Sequence, residues 1–187
     1  MYSAYMQGIF PWFNEESEYP AWYSTDPRFV LMPQDFHCPK SLKKFMKKCP
    51  YTFSMDRCFR KVMKNCAEMD RPDQNSTWIG QSMINVYTKF HKAGYAHSFE
   101  VWYKGQLAGG FYGVLIGSVF FGESMFSDME NGSKIALILL AQFLEENDFE
   151  MIDCQFHTDH LQSMGGEAVS WEEYNELLDR GLRRKKA

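Results

Sequence analysis

The side chains best suited to chemistry are three polar residues set among apolar ones. Glu123 stands within Phe120-Phe121-Gly122-Glu123-Ser124-Met125-Phe126, where a carboxylate is costly unless something pairs or uses it. Asp153 and Gln155 follow in Ile152-Asp153-Cys154-Gln155. In a strand over residues 149–156, Met151, Asp153 and Gln155 share one face and Ile152, Cys154 and Phe156 the other. An amide beside one or two carboxylates makes a polar network that must be satisfied or used. It can be an internal hydrogen-bond knot. It can also be a base or orienter for a nucleophile, with anionic groups that attract a cationic substrate.

Other chemistries find less support. Ser124 and Ser127 lack a base at motif spacing, and Cys154 falls on the face opposite Asp153. Cys154, His157, Asp159 and His160 are possible metal ligands, but adjacent polar residues in a loop are commoner than sites, and no metal is expected. Neither G-x-x-x-x-G-K nor G-x-G-x-x-G occurs.

The elements that must position these residues are read from periodicity. Residues 97–103, 106–116 and 118–121 alternate with period two and predict an antiparallel meander, turning at Lys104-Gly105. Gly109, Gly110 and Gly113 point to a bulge or a close backbone approach. Residues 120–131 read as a strand end, a loop and a helix start. Residues 133–146 form a helix apolar nearly all round, hence buried on most sides. The strand at 149–156 returns beside the one carrying Glu123, and 172–182 make a last helix. Upstream, helices are expected over 40–48, over 55–70 and from Trp78 to about 92, with a polar loop at 71–77. The order βββ-α-β, with helices before it, predicts an α+β fold with a mixed sheet. Residues 1–35, rich in rings and prolines, would form a small N-terminal part, and 36–187 the main domain.

Composition agrees with a globular protein: 45% hydrophobic residues, 17% aromatic, and 187 residues in all, enough for one proper core. Five cysteines without a C-x-x-C pair argue against a disulfide scaffold and suit a reducing cytoplasm. No signal peptide is visible and no run is long enough to span a bilayer, so no membrane is expected. The net charge of −4 gives no global attraction to nucleic acid. Lys40, Lys43, Lys44, Lys47 and Lys48 nevertheless share one helical face with no acidic residue among them. Most charge runs are solvated faces, yet such segregation in an acidic protein favours a polyanion contact through phosphates.

The strings GIFPWF (8–13), STDPR (24–28), TWIG (77–80), AHSFEVW (96–102), FGESMFS (121–127), MENGSK (129–134) and IDCQ (152–155) together closely resemble the bacterial leucyl/phenylalanyl-tRNA–protein transferase family. They occur in order over essentially the whole chain. The resemblance implies a GNAT-like catalytic domain and transfer of Leu, Phe or Met from aminoacyl-tRNA to an N-terminal Arg or Lys, which marks the acceptor for degradation. It implies Asp153 and Gln155 as the catalytic pair, with Glu123 holding the amine or the terminal adenosine. Phe111, Phe120, Gly122, Met125, Leu140, Leu144 and Ile152 would line the aminoacyl pocket. Trp12 and Trp78 would stack on the terminal adenine, and the five lysines would carry the acceptor arm. Because the ester is already activated, no cofactor is expected; the protein is expected to be a cytoplasmic monomer. Competing readings are another GNAT- or Fem-type acyl transferase, and a non-catalytic RNA-binding module.

Overall fold

The computed structural model describes residues 1–13, 19–48, 51–69 and 79–184. Trp78, the loop at 71–77 and residues 185–187 lie outside them. A short helix α1 (Tyr2–Tyr5) precedes a two-stranded ribbon, β1 (Phe10–Trp12) and β2 (Ala21–Tyr23). Then follow β3 (Arg28–Leu31), α2 (Lys40–Met46), β4 (Tyr51–Met55), α3 (Phe59–Glu68) and α4 (Gln81–Lys92). The meander is β5 (Ala96–Tyr103), β6 (Gln106–Ile116) and β7 (Val119–Ser127), followed by α5 (Gly132–Glu146) and β8 (Met151–Gln155). The chain continues through α6 (Asp159–Ser163), β9 (Glu167–Val169) and α7 (Trp171–Arg183).

Among the described residues, seven strands form one mixed sheet in the order β4-β5-β6-β7-β8-β3-β9. Only β7 and β8 pair in parallel, as the α5 crossover between them requires. Strand alternation sends alternate residues to two cores. Val30, Val114, Phe121 and Met151 pack with α1, α3, α4 and α7 on one face. Leu31, Phe111, Phe120 and Ile152 pack with α5 on the other. The expected α+β class and the buried α5 are both present: Ile135, Ala136, Ile138, Leu140 and Leu144 are buried. No helix among the described residues is long and apolar enough to cross a membrane.

Three features differ from the sequence reading. The segment after Phe121 is not a loop: β7 runs on to Ser127. Residues 51–54, unassigned by periodicity, and Met55, expected to open a helix, form the edge strand β4, and α3 begins only at Phe59. Finally β3, inside the 1–35 part, lies in the large sheet between β8 and β9. The glycines of β6 do mark a close approach. A Cβ on Gly109 would lie 2.5 Å from the Gly132 backbone, so α5 can begin where it does only because both residues lack one.

Candidate active site

Two bulges build the site. On β7, Tyr112 pairs with Ser124 but Gly113 pairs with Gly122, which leaves Glu123 as the extra residue. That insertion lets Phe121 and Phe126, five apart, reach the same core. On β8, Val30 pairs with Asp153 but Phe29 with Gln155, which makes Cys154 the extra residue. Parallel pairing between the two strands ends at Phe121 opposite Asp153. Past this point the strands are unpaired with each other, and a cleft of about 450 Å³ opens there.

Asp153 lies at the base of the cleft but does not line it. Both it and Arg28 are 0% exposed. Arg28 donates through Nε to Oδ1 (2.8 Å) and through a terminal nitrogen to Oδ2 (2.6 Å), a bidentate pair. Tyr174 donates its hydroxyl to Oδ2 at 2.8 Å, and the Gln155 backbone N–H donates to Oδ1 at 3.0 Å. The guanidinium is sandwiched between Phe10 and Tyr174, each ring centroid within 4.8 Å. Burial works against the Arg28 charge, but Asp153 holds its pKa above the ordinary value. Asp153 thus grips the backbone of Gln155 and not its side-chain amide. The grip holds Gln155 at φ 65°, a conformation few non-glycine residues adopt. It is braced by the Thr25 hydroxyl, which donates to the Gln155 carbonyl at 3.0 Å.

The Gln155 amide instead reaches across the cleft, where Nε2 donates to Glu123 Oε1 at 3.4 Å. Glu123 is half-buried and has no cationic partner among the described residues. Its donors are Tyr5 of α1, to Oε1 at 2.5 Å, and Tyr87 of α4, to Oε2 at 2.8 Å. The two hydroxyls are themselves 2.6 Å apart. Burial raises the Glu123 pKa to about 7. Hydrogen bonds from Tyr5 and Tyr87 pull it back, the Asp153 charge adds to the rise, and the Gln155 bond lowers it.

Most of the expected apolar pocket comes together. Phe111, Phe120, Gly122, Met125, Leu140 and Ile152 all line the cleft. Leu144, one helical turn beyond Leu140, does not. Leu137, Cys154, Phe156, Thr158, His160 and Leu161 line it without having been anticipated. The i, i+3 spacing of Leu137 and Leu140 on α5 was the available signal. Burial and then Asp153 push the Cys154 thiol far above its ordinary pKa, so it stays protonated. Among the described residues, no three His, Cys, Asp or Glu side chains converge on a metal position.

Trp12 stands at the cleft wall, edge-on to Phe156 at 6.1 Å. Leu42 docks α2 on the core, and Lys40, Lys43, Lys44, Lys47 and Lys48 are all exposed. Sequence reading missed Arg28, Tyr5, Tyr87 and Tyr174. For Arg28 a signal existed: a charge opening the apolar run Phe29-Val30-Leu31 needs a buried partner.

The structure resembles a conserved protein of unknown function from Bacteroides thetaiotaomicron, with a TM-score of 0.55 and 11% identity over 75% of this chain and 55% of that one, which speaks to fold alone. Sequence comparisons go further. A leucyl/phenylalanyl-tRNA–protein transferase from Anaeromyxobacter sp. (strain K) is 44% identical over 96% of this chain and 77% of its own length. The protein of the same name from Nitrosomonas europaea is 49% identical over 95% and 74%. The model of the transferase's N-terminal domain matches residues 1–26, and that of the leucyl/phenylalanyl-tRNA protein transferase itself matches residues 30–179. The chain belongs to the leucyl/phenylalanyl-tRNA protein transferase family.

Proposed function

We propose that this chain transfers Leu, Phe or Met from aminoacyl-tRNA to the N-terminal Arg or Lys of acceptor proteins, marking them for degradation. The observation that carries this reading is the division of one cleft. An apolar floor of Phe111, Phe120, Met125, Leu140 and Ile152 meets a polar wall of Glu123 and Gln155. The floor suits a Leu, Phe or Met side chain, and the flexible Met125 lets it accept more than one. The wall stands where the ester carbonyl and the incoming amine would meet.

The reaction is ester aminolysis. The acceptor's α-amine attacks the aminoacyl carbonyl, the amide bond forms, and the bond to the terminal ribose oxygen breaks. The ester is already activated, so positioning, proton removal and oxyanion support suffice, with no cofactor. In this reading Gln155 orients the amine, and Asp153 is a positioning residue that fixes the strained Gln155 backbone. Trp12 would stack on the terminal adenine, worth about 1–3 kcal/mol, with Trp78 as its partner. The lysine face of α2 would hold acceptor-arm phosphates. The mixed sheet, with the parallel pair β7–β8 parting at the cleft, supports a GNAT-like catalytic domain; in this proposal it acts as a monomer in the cytoplasm.

The test uses labelled Phe-tRNA or Leu-tRNA and peptides beginning with Arg, Lys or Ala. Label should pass to the first two only; no label on any peptide, from a protein that binds the tRNA, overturns the reading. Replacing Lys43, Lys44 and Lys47 with Glu should weaken tRNA binding at least tenfold and flatten its salt dependence. Unchanged affinity would make that face a solvated surface.

A further inference from the structure

The Glu123 site is a ring of oxygens whose hydrogen bonding depends on whether the carboxyl carries a proton. Glu123, Tyr5 and Tyr87 form a triangle of oxygen contacts: Tyr5 to Oε1 at 2.5 Å, Tyr87 to Oε2 at 2.8 Å, and Tyr5 to Tyr87 at 2.6 Å. Each contact is of hydrogen-bond length and needs one proton. Two hydroxyls bring two. With Glu123 ionised, both hydroxyls donate to it, and the tyrosyl oxygens face each other with no proton between them. With Glu123 protonated the ring closes: Oε2–H donates to Tyr87, Tyr87 to Tyr5, and Tyr5 to Oε1.

We propose that the Glu123 carboxylate takes the proton lost by the attacking amine, with Tyr5 and Tyr87 as the donors that keep it ionised until that proton arrives and the ring closes around it. The inference rests on the transfer reading above and assigns its missing base. Gln155 cannot fill that role, since a neutral amide does not accept a proton near neutral pH. Asp153 is buried against Arg28 and does not line the cleft. Glu123 does line it, and of about four acceptor positions on its carboxylate three are filled, which leaves room for one more donor. As the amine nitrogen bonds to the carbonyl carbon, its proton passes to Glu123. The ribose oxygen leaves with the ester's bonding pair and is protonated in turn, and the carboxylate is regenerated.

The groups facing Glu123 fit this cycle. Tyr5 comes from α1 and Tyr87 from α4, while Gln155 and the Asp153 charge come from β8; Tyr112 of β6 acts on the two tyrosines. Both hydroxyls are themselves held protonated by burial and by the Glu123 charge, so they conduct a proton without becoming anions. With its carboxyl at about 7, Glu123 exists in both protonation states near neutral pH, so it can both take and release a proton there.

The test is the pH dependence of single-turnover transfer from Phe-tRNA to an Arg-initiated peptide, from about pH 5 to about pH 9. The wild type should rise with a log–log slope of about two on the acidic side, because both the amine and Glu123 must lose a proton. In Glu123→Gln the slope should fall to about one and the rate by on the order of 100-fold, with Phe-tRNA affinity unchanged. Tyr5→Phe keeps the carboxylate but removes a donor to its charged form. It should move the Glu123 midpoint upward, both in the rate profile and in a carbon-13 titration of the Glu123 carboxyl without substrate. A wild-type slope of one that Glu123→Gln leaves unchanged, or a carboxyl titrating at the ordinary value, overturns the base. Absence of any transfer by a wild type that binds Phe-tRNA overturns instead the reading on which it rests.

Discussion

Asp153 and Glu123 are carboxylates on neighbouring strands at one end of one sheet, yet their surroundings are opposite. Asp153 is sealed and neutralised by a bidentate arginine, with a tyrosine and a backbone N–H completing its partners. Glu123 borders the cleft and receives only neutral donors. The first environment fixes a charge permanently and turns it into a brace. The second leaves a charge only weakly favoured, which is what a group exchanging protons near neutrality requires. Proximity to a site therefore does not make a carboxylate reactive; the identity of its partners does.

The comparison can be broken most forcefully from the side of Asp153. Arg28→Met strands a buried carboxylate and should lower stability by about 3–5 kcal/mol in urea denaturation. A loss below about 1 kcal/mol would mean that water or another group neutralises Asp153, so that the site is not sealed. The double replacement Arg28→Met with Asp153→Leu removes both charges, and buried pairs replaced by apolar residues are often neutral for stability. Stability should return while transfer stays impaired, because the Gln155 backbone has lost its grip. If transfer returns as well, Asp153 is a structural ion pair and nothing more.

The smallest effect concerns Glu123. Its folded pKa of about 7 lies above the ordinary value, so the native state binds more protons than the unfolded chain between about 4.5 and about 7. Wild-type stability should fall with rising pH across that window. Glu123→Gln removes the ionisation, so its melting temperature should gain on the wild type by about 5–10 °C between pH 5 and pH 8. A constant difference would show that Glu123 ionises normally.

What the sequence revealed and concealed follows from the same two bulges. Period two exposed the meander, and the long apolar run exposed α5. The reading of β7 stopped at Phe121 because Glu123 is inserted out of phase, so the alternation that identifies a strand breaks at the residue proposed as the base. The Asp153–Gln155 pair was visible because it sits in a short recognisable string, but its wiring was not. Arg28 lies 125 residues away, and no local pattern links the two. Tyr5 and Tyr87 were equally silent, since a tyrosine on a helix face reads as core until its hydroxyl finds a partner. Asp153 and Glu123 themselves were legible as residue types; only the fold shows how differently they are partnered.

The place of β3 also governs when the site can come into being. The meander β5-β6-β7 closes short loops and can form early, whereas β3 must wait for β8 on one side and β9 on the other. The ordering of Arg28 against Asp153 is thus expected late in folding. In pulsed hydrogen exchange during refolding, the amides of residues 28–31 should become protected after those of residues 106–116. Catalytic competence would then be the last property the chain acquires, and a partly folded intermediate would hold a sheet without a site.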